Sequence, residues 1–136
     1  MNDDGASRLV RAAPYFLVAD LTGTSSYYEH VLGFSREYTG GDPPEFVVVS
    51  RDGLPIMLRR ASSGHAIVPN EKQGGTWDVF FWVHGLRALH EEMRRTGANI
   101  VYGPVVQPYG VEEFAVRDPE GYVLGFGEAV KASTWS

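Results

Sequence analysis

The sequence predicts an α+β chain made of two βαβββ modules, and three observations predict it. An apolar strand, a helix of amphipathic period and a further strand occur twice. Each set leads into a hairpin pattern. The two hairpins lie 68 residues apart, with Phe46 aligned on Phe114, Gly53 on Gly121, Ile56 on Leu124 and Leu58 on Phe126. A period of about 65 residues that occurs only twice is longer than a solenoid repeat and suggests paired modules rather than an array.

Tyr15–Ala19 reads as an apolar strand, and Asp20 and Thr22 can cap the helix that follows, because their side-chain oxygens can accept from its first free amides. Tyr27, Tyr28, Val31 and Leu32 give that helix an apolar side, and Gly33 ends it. After the turn residues "GGDPP", Phe46–Ser50 and Ile56–Arg60 flank "RDGLP", a hairpin connection. The polar, Gly-rich stretch 61–75 has little periodicity and reads as a linker or mobile loop. Then "DVFFWVHGLRALHEEMRRTGANIVYG" gives a strand, a helix with Leu86, Leu89 and Met93 at helical spacing, a Gly97 stop and a short strand, and "EFAVRDPEGYVLGFG" closes with a hairpin. Module one spans about 10–60, the linker 61–75 and module two about 76–128, within one domain over residues 1–136.

With 43% hydrophobic and 21% charged residues over 136 positions, the chain can bury a sizeable core. It has no cysteine, which excludes disulfides, thiolate metal sites and cysteine nucleophiles and suits a cytoplasmic location. No apolar run approaches the roughly 18 residues a membrane span requires. Met1–Gly5 is acidic rather than the basic start of a signal peptide, so the expectation is a soluble, unprocessed chain without a membrane partner. A net charge of −5 disfavours nucleic acid, which wants clustered Lys and Arg; Arg94–Arg95 is a short pair on a solvated helix face. The same charge favours a cationic small molecule.

The segments "VADLTGTSSYYEHVLGF" and "EFAVRDPEGYVLGF" carry a family likeness. Over about residues 10–128 the sequence resembles the vicinal oxygen chelate superfamily, which contains glyoxalase I, extradiol dioxygenases, fosfomycin-resistance proteins and bleomycin-resistance proteins. The resemblance implies two βαβββ modules forming a curved mixed sheet around a cleft, usually in a homodimer. Members isomerise, oxidise, conjugate or sequester small molecules, so chemistry has to be read from the site.

The resemblance also implies where a divalent metal would sit. Catalytic members place His, Gln or Glu on the first and last strands of each module, the final ligand four residues after the turn glycine. That position is Gly125, and its counterpart in module one is Met57, a thioether poorly suited to such ions. The first-strand positions are Ala13 and Asp78. One carboxylate does not make a site that needs several donors within about 2.0–2.6 Å of one point. The expectation is no metal and no cofactor. His30 and His90 fall in helices, His65 in the loop and His84 at a strand end, none at a ligand spacing with a second His or carboxylate on one strand.

Strand alternation, in phase with those positions, sends Tyr15, Leu17, Met57 and Arg59 of module one and Asp78, Phe80, Trp82, Glu113, Ala115 and Arg117 of module two into the cleft. Phe16, Val18, Phe46, Val79, Phe81, Val83, Phe114, Leu124 and Phe126 fall on the core side. Aromatic walls with Asp78 or Glu113 as counter-charge suit a flat or cationic organic ligand. The expected function is small-molecule binding or sequestration of the bleomycin-resistance kind, including drug resistance. The alternatives are a metal-dependent lyase, isomerase or dioxygenase, or a metal-free enzyme using Asp78, Glu113 or Tyr15 as acid or base. The segments 61–75 and 102–110 are expected at the cleft mouth, ordering when ligand binds.

Overall fold

A computed structural model describes residues 5–63 and 66–130; the acidic residues 1–4 and His65 of the preceding section lie outside them. In chain order the elements are β1 (Tyr15–Val18), α1 (Leu21–His30), β2 (Ser35–Gly40), β3 (Phe46–Arg51), β4 (Leu54–Arg60), a 3-10 turn (Asn70–Gln73), β5 (Val79–Trp82), α2 (Leu86–Thr96), β6 (Asn99–Val106), β7 (Val111–Arg117) and β8 (Val123–Ala129). They form two four-stranded mixed sheets, ordered β1-β4-β3-β2 and β5-β8-β7-β6, so the chain is α+β with two βαβββ modules. In each sheet the first strand runs parallel to the last, and the remaining pairs are antiparallel.

Pairing register explains why the sequence repeats with two offsets. Tyr15 lies opposite Met57, and Phe80 opposite Gly125. The first strands are thus displaced by 65 positions and the hairpins by 68.

Local chemistry sets the element ends. The Asp20 carboxylate accepts from Gly23 N at 3.0 Å and caps α1. Asp52 and Gly53 have φ of 53° and 79°, the pair of left-handed residues that a two-residue hairpin turn needs, which an Asp-Gly pair supplies at low cost. Helix α1 ends at His30, ahead of Gly33.

Both modules bury their helix-side residues in one continuous core, with Phe16, Val18, Tyr28 and Phe34 of module one alongside Phe114 and Phe126 of module two. Burying each such side chain stabilises by roughly 1.5–3 kcal/mol. Three expectations need correcting. Phe46 is not in this core: it pairs with Arg59 across β3 and β4, and therefore lies on the opposite face with Leu17 and Arg59. Residues 102–106 are not loop but the second half of β6, whose two register shifts against β7 accommodate Gly103 and Pro104. The linker is not featureless either, since Asn70–Gln73 makes a 3-10 turn. Among the described residues no helix is long and apolar enough to cross a membrane.

Candidate functional site

Each sheet has one face on the shared core and one without a helix. On the helix-free face of sheet one, the register aligns Tyr15, Met57, Val48 and Tyr38 in one row and Leu17, Arg59 and Phe46 in the next. The Arg59 guanidinium lies 4.7 Å from the Phe46 ring centroid, a cation–π contact that keeps its charge at the surface. Tyr15 is 53% exposed, and Leu17 and Tyr38 are exposed as well.

The helix-free face of sheet two is more elaborate. Phe80, Gly125, Ala115 and Tyr102 form one row; Trp82, Gly127, Glu113 and Val105 form the next. Trp77, just ahead of β5, folds over this face: its ring centroid is 4.7 Å from that of Phe80, which lies 5.0 Å from that of Trp82. Glu113, only 1% exposed, accepts from the hydroxyls of Tyr102 and Tyr109, each at 2.8 Å, and from the Gln107 amide at 3.3 Å. The Trp77 indole N–H donates to the Tyr102 oxygen at 2.8 Å, completing a chain from indole to phenol to carboxylate. Burial, more than the hydrogen bond to Glu113, pushes the Tyr109 phenol up to about 12; Tyr102 is raised further, again mainly by burial. Both phenols therefore keep their protons at neutral pH and serve as donors.

The predicted residues fall into two groups. Tyr15, Leu17, Met57 and Arg59 share the helix-free face of sheet one, while Phe80, Trp82, Glu113 and Arg117 share that of sheet two, adjoined by Asp78. The contacts joining the modules run elsewhere, through the core and the hairpin turns. Three of the charges are also engaged within the fold. Asp78 accepts from the amides of Asn70 (2.9 Å) and Val123 (2.8 Å), tying the linker turn to β8. Arg117 forks onto Glu71 of that same turn, and Glu113 is held as described.

The sequence reading missed Trp77, Tyr102 and Tyr109. Their signal was present: Gly125 and Gly127 alternate on one face of β8, and bare strand positions invite a large side chain from elsewhere. A Cβ at Gly125 would stand 2.5 Å from Trp77 and 2.7 Å from Phe80, and one at Gly127 would stand 2.5 Å from Phe80.

The same geometry tests the metal position. The space that a ligating side chain at Gly125 would cross is filled by the Trp77 indole, Met57 offers a thioether, and Asp78 spends both oxygens on backbone amides. This donor set does not fit a divalent ion. Among the described residues no three His, Asp or Glu side chains converge as a metal-binding group.

A pocket of about 390 Å³ lies on the core side, between the β3–β4 turn, the end of β5 and α2, and meets the helix-free face of sheet two at Trp82.

The sequence matches the family model "Glyoxalase/Bleomycin resistance protein/Dioxygenase superfamily" over residues 8–126. The chain belongs to this superfamily. No curated protein matches the sequence. Among solved structures, the fold is similar to that of TioX from Micromonospora sp. ML1, with a TM-score of 0.71 and 20% identity over 88% of this chain and 98% of that one. It is similar to the bleomycin-binding protein of bleomycin-producing Streptomyces verticillus, solved with copper(II)-bleomycin (TM-score 0.67, 23% identity, 89% and 97% covered). It is also similar to TnmS3, an antibiotic-binding protein from Streptomyces sp. CB03234 (TM-score 0.65, 18% identity, 92% and 98% covered).

Proposed function

We propose that this superfamily member is a metal-independent binding protein that sequesters a flat aromatic compound on its helix-free sheet faces. The observation that carries this reading is the Trp77–Phe80–Trp82 cluster of edge-on and tilted rings, of which Trp77 and Phe80 occupy the space above Gly125, where a metal-dependent member would present a ligand. Rings of this kind offer large apolar area and π faces, and the indole–phenol–carboxylate chain anchors Trp77 among them. Similar structures named for binding bleomycin and an antibiotic support a small-molecule ligand, and drug resistance is part of the proposal. With Asp78 and Glu113 engaged inside the fold, attraction for a cation rests on the aromatic faces and on the net charge of −5.

A cleft that encloses its ligand requires a second wall. The exposed Tyr15, Leu17 and Tyr38 of sheet one form a patch suited to a second copy, so a homodimer is part of the proposal, as is a cytoplasmic location for a cysteine-free chain. Native mass spectrometry tests the dimer: a monomer at micromolar concentration would remove it from the proposal. Titration with acridine orange, a planar aromatic cation, tests the binding face. Trp82→Ala is expected to weaken binding about tenfold or more while leaving the unfolding midpoint within a few degrees; unchanged affinity would move the site off this face.

A further inference from the structure

The two modules are copies, yet their hairpin turns meet the opposite module differently. The β7–β8 turn docks Tyr122 on module one: its ring stacks on Phe16 with centroids 4.1 Å apart and planes 6° from parallel, and its hydroxyl donates to the Leu17 carbonyl at 2.6 Å. The counterpart of Tyr122 in the β3–β4 turn, 68 residues earlier, is Leu54, and the counterpart of Phe16, 65 residues later, is Phe81. Leu54 is 44% exposed, whereas Tyr122 is 9% exposed. Where module one receives a phenol ring, module two has the pocket of about 390 Å³, lined by Phe81, Leu54, Phe34, Leu89, Met93 and Phe126 among others.

We propose that this pocket, which borders the helix-free face of sheet two at Trp82, is a second binding site for an uncharged monocyclic aromatic of the phenol class. The occupant is argued from the molecule itself, because the equivalent space on module one is filled by the side chain of tyrosine. The walls agree with it. Phe81 has Phe126 stacked along the sheet at 5.5 Å and Phe34 at its edge at 6.5 Å, so a third ring completes an aromatic cluster. The rim agrees as well: Arg51 is committed to Glu92 through two hydrogen bonds of 2.8 and 3.0 Å and to the Leu32 carbonyl at 2.8 Å, and Asp52 adds a negative charge. The remaining basic side chain of the lining, His84, lies 3.6 Å from the Glu128 carboxylate, so the rim does not favour an anion, and Phe81, Phe126, Leu89 and Met93 make the wall apolar.

The probe is p-cresol, the tyrosine side chain as a free molecule, titrated into the isotope-labelled full chain and followed by amide and methyl NMR. Saturable shifts are expected at Leu54, Gly85, Leu89 and Met93. Leu54→Tyr, which rebuilds on module two the plug present on module one, is expected to weaken p-cresol binding about tenfold or more. Ala88→Phe, which narrows the same pocket from α2, is expected to do likewise and serves if Leu54→Tyr does not fold. Shifts confined to Phe80, Ala115 and their neighbours, shifts that do not saturate, or binding unchanged in both variants would overturn the proposal. Acridine orange binding in Leu54→Tyr separates the two sites: its retention alongside loss of p-cresol binding is expected, and its parallel loss would mean that the pocket and the faces are one site.

Discussion

The turns Asp118–Tyr122 and Ser50–Leu54 occupy equivalent places in the two modules, but the first is welded to its neighbour by a buried ring and carboxylates, whereas the second reaches its neighbour through the partly exposed Arg51–Glu92 ion pair. Tyr122 stacks on Phe16 and donates to Leu17. Glu120 accepts from the amides of Ala19 and Asp20 at 2.9 Å each, and the buried Asp118 accepts from the Tyr28 hydroxyl at 2.7 Å. At the matching positions Leu54 is half exposed, Asp52 makes a loose 3.9 Å pair with Arg51, and Ser50 stands in for Asp118. The opening amides of α2 are satisfied instead by Glu128 of the same module, which accepts from Leu86 N at 2.9 Å. Duplicated modules can thus keep one backbone plan while one copy specialises in holding the pair together and the other is left with space for something else.

The largest way to break this contrast is at the ring. Tyr122→Ala should cost about 4 kcal/mol, from lost burial, a lost stack and a lost hydrogen bond, whereas Leu54→Ala should cost less than about 1 kcal/mol. Urea unfolding of both measures the difference, and equal losses would abolish the distinction between the turns.

Acid titration probes the same weld. Burial pushes Asp118 up to about 6 from 3.8, against hydrogen bonds from Tyr28, Tyr122 and Glu120 that pull it down. A carboxyl raised in the folded state contributes stability that is complete below about pH 4 and lost as pH rises through about 6, by up to about 3 kcal/mol. The stability of the native chain relative to Asp118→Asn should therefore fall by that amount between about pH 4 and pH 7. A difference that is flat, or that rises with pH, would contradict the burial argument.

On the helix-free face, Gly125→Ala forces a methyl against Trp77 and Phe80 and should cost about 2 kcal/mol. Its module-one counterpart Met57 is already a full side chain, and Met57→Leu should be nearly neutral. Thermal unfolding distinguishes them. The smallest contrast is Glu120→Ala, about 1 kcal/mol for the lost amide acceptor at the start of α1, against no measurable cost for Asp52→Asn, which removes the charge and keeps a residue suited to the left-handed φ of 53°.

Much of the fold was legible because equivalent residues pair in both modules, Tyr15 with Met57 and Phe80 with Gly125, so the repeat shows in the sequence as offsets of 65 for the first strands and 68 for the hairpins. Face assignment was legible where polar and apolar residues alternate, and failed at Phe46, where "FVVV" is apolar in both phases and only the partner strand decides. The site was legible as an absence of donors at Gly125 and Met57. Its aromatic cover was not, because Trp77 comes from outside a strand and Tyr102 and Tyr109 flank Gly103, Pro104 and Pro108, residues that read as loop. Nor could the sequence reveal that Asp78 faces two backbone amides, since that depends on where the linker returns.

The central claim, an aromatic binding face without a metal, is tested most directly by calorimetric titration of acridine orange into the native chain, Trp82→Ala and Leu54→Tyr, with nickel added in a parallel series. Saturable dye binding that is lost in Trp82→Ala, kept in Leu54→Tyr and indifferent to nickel is the predicted result. Stoichiometric nickel binding, or dye affinity unmoved by Trp82→Ala, would contradict it.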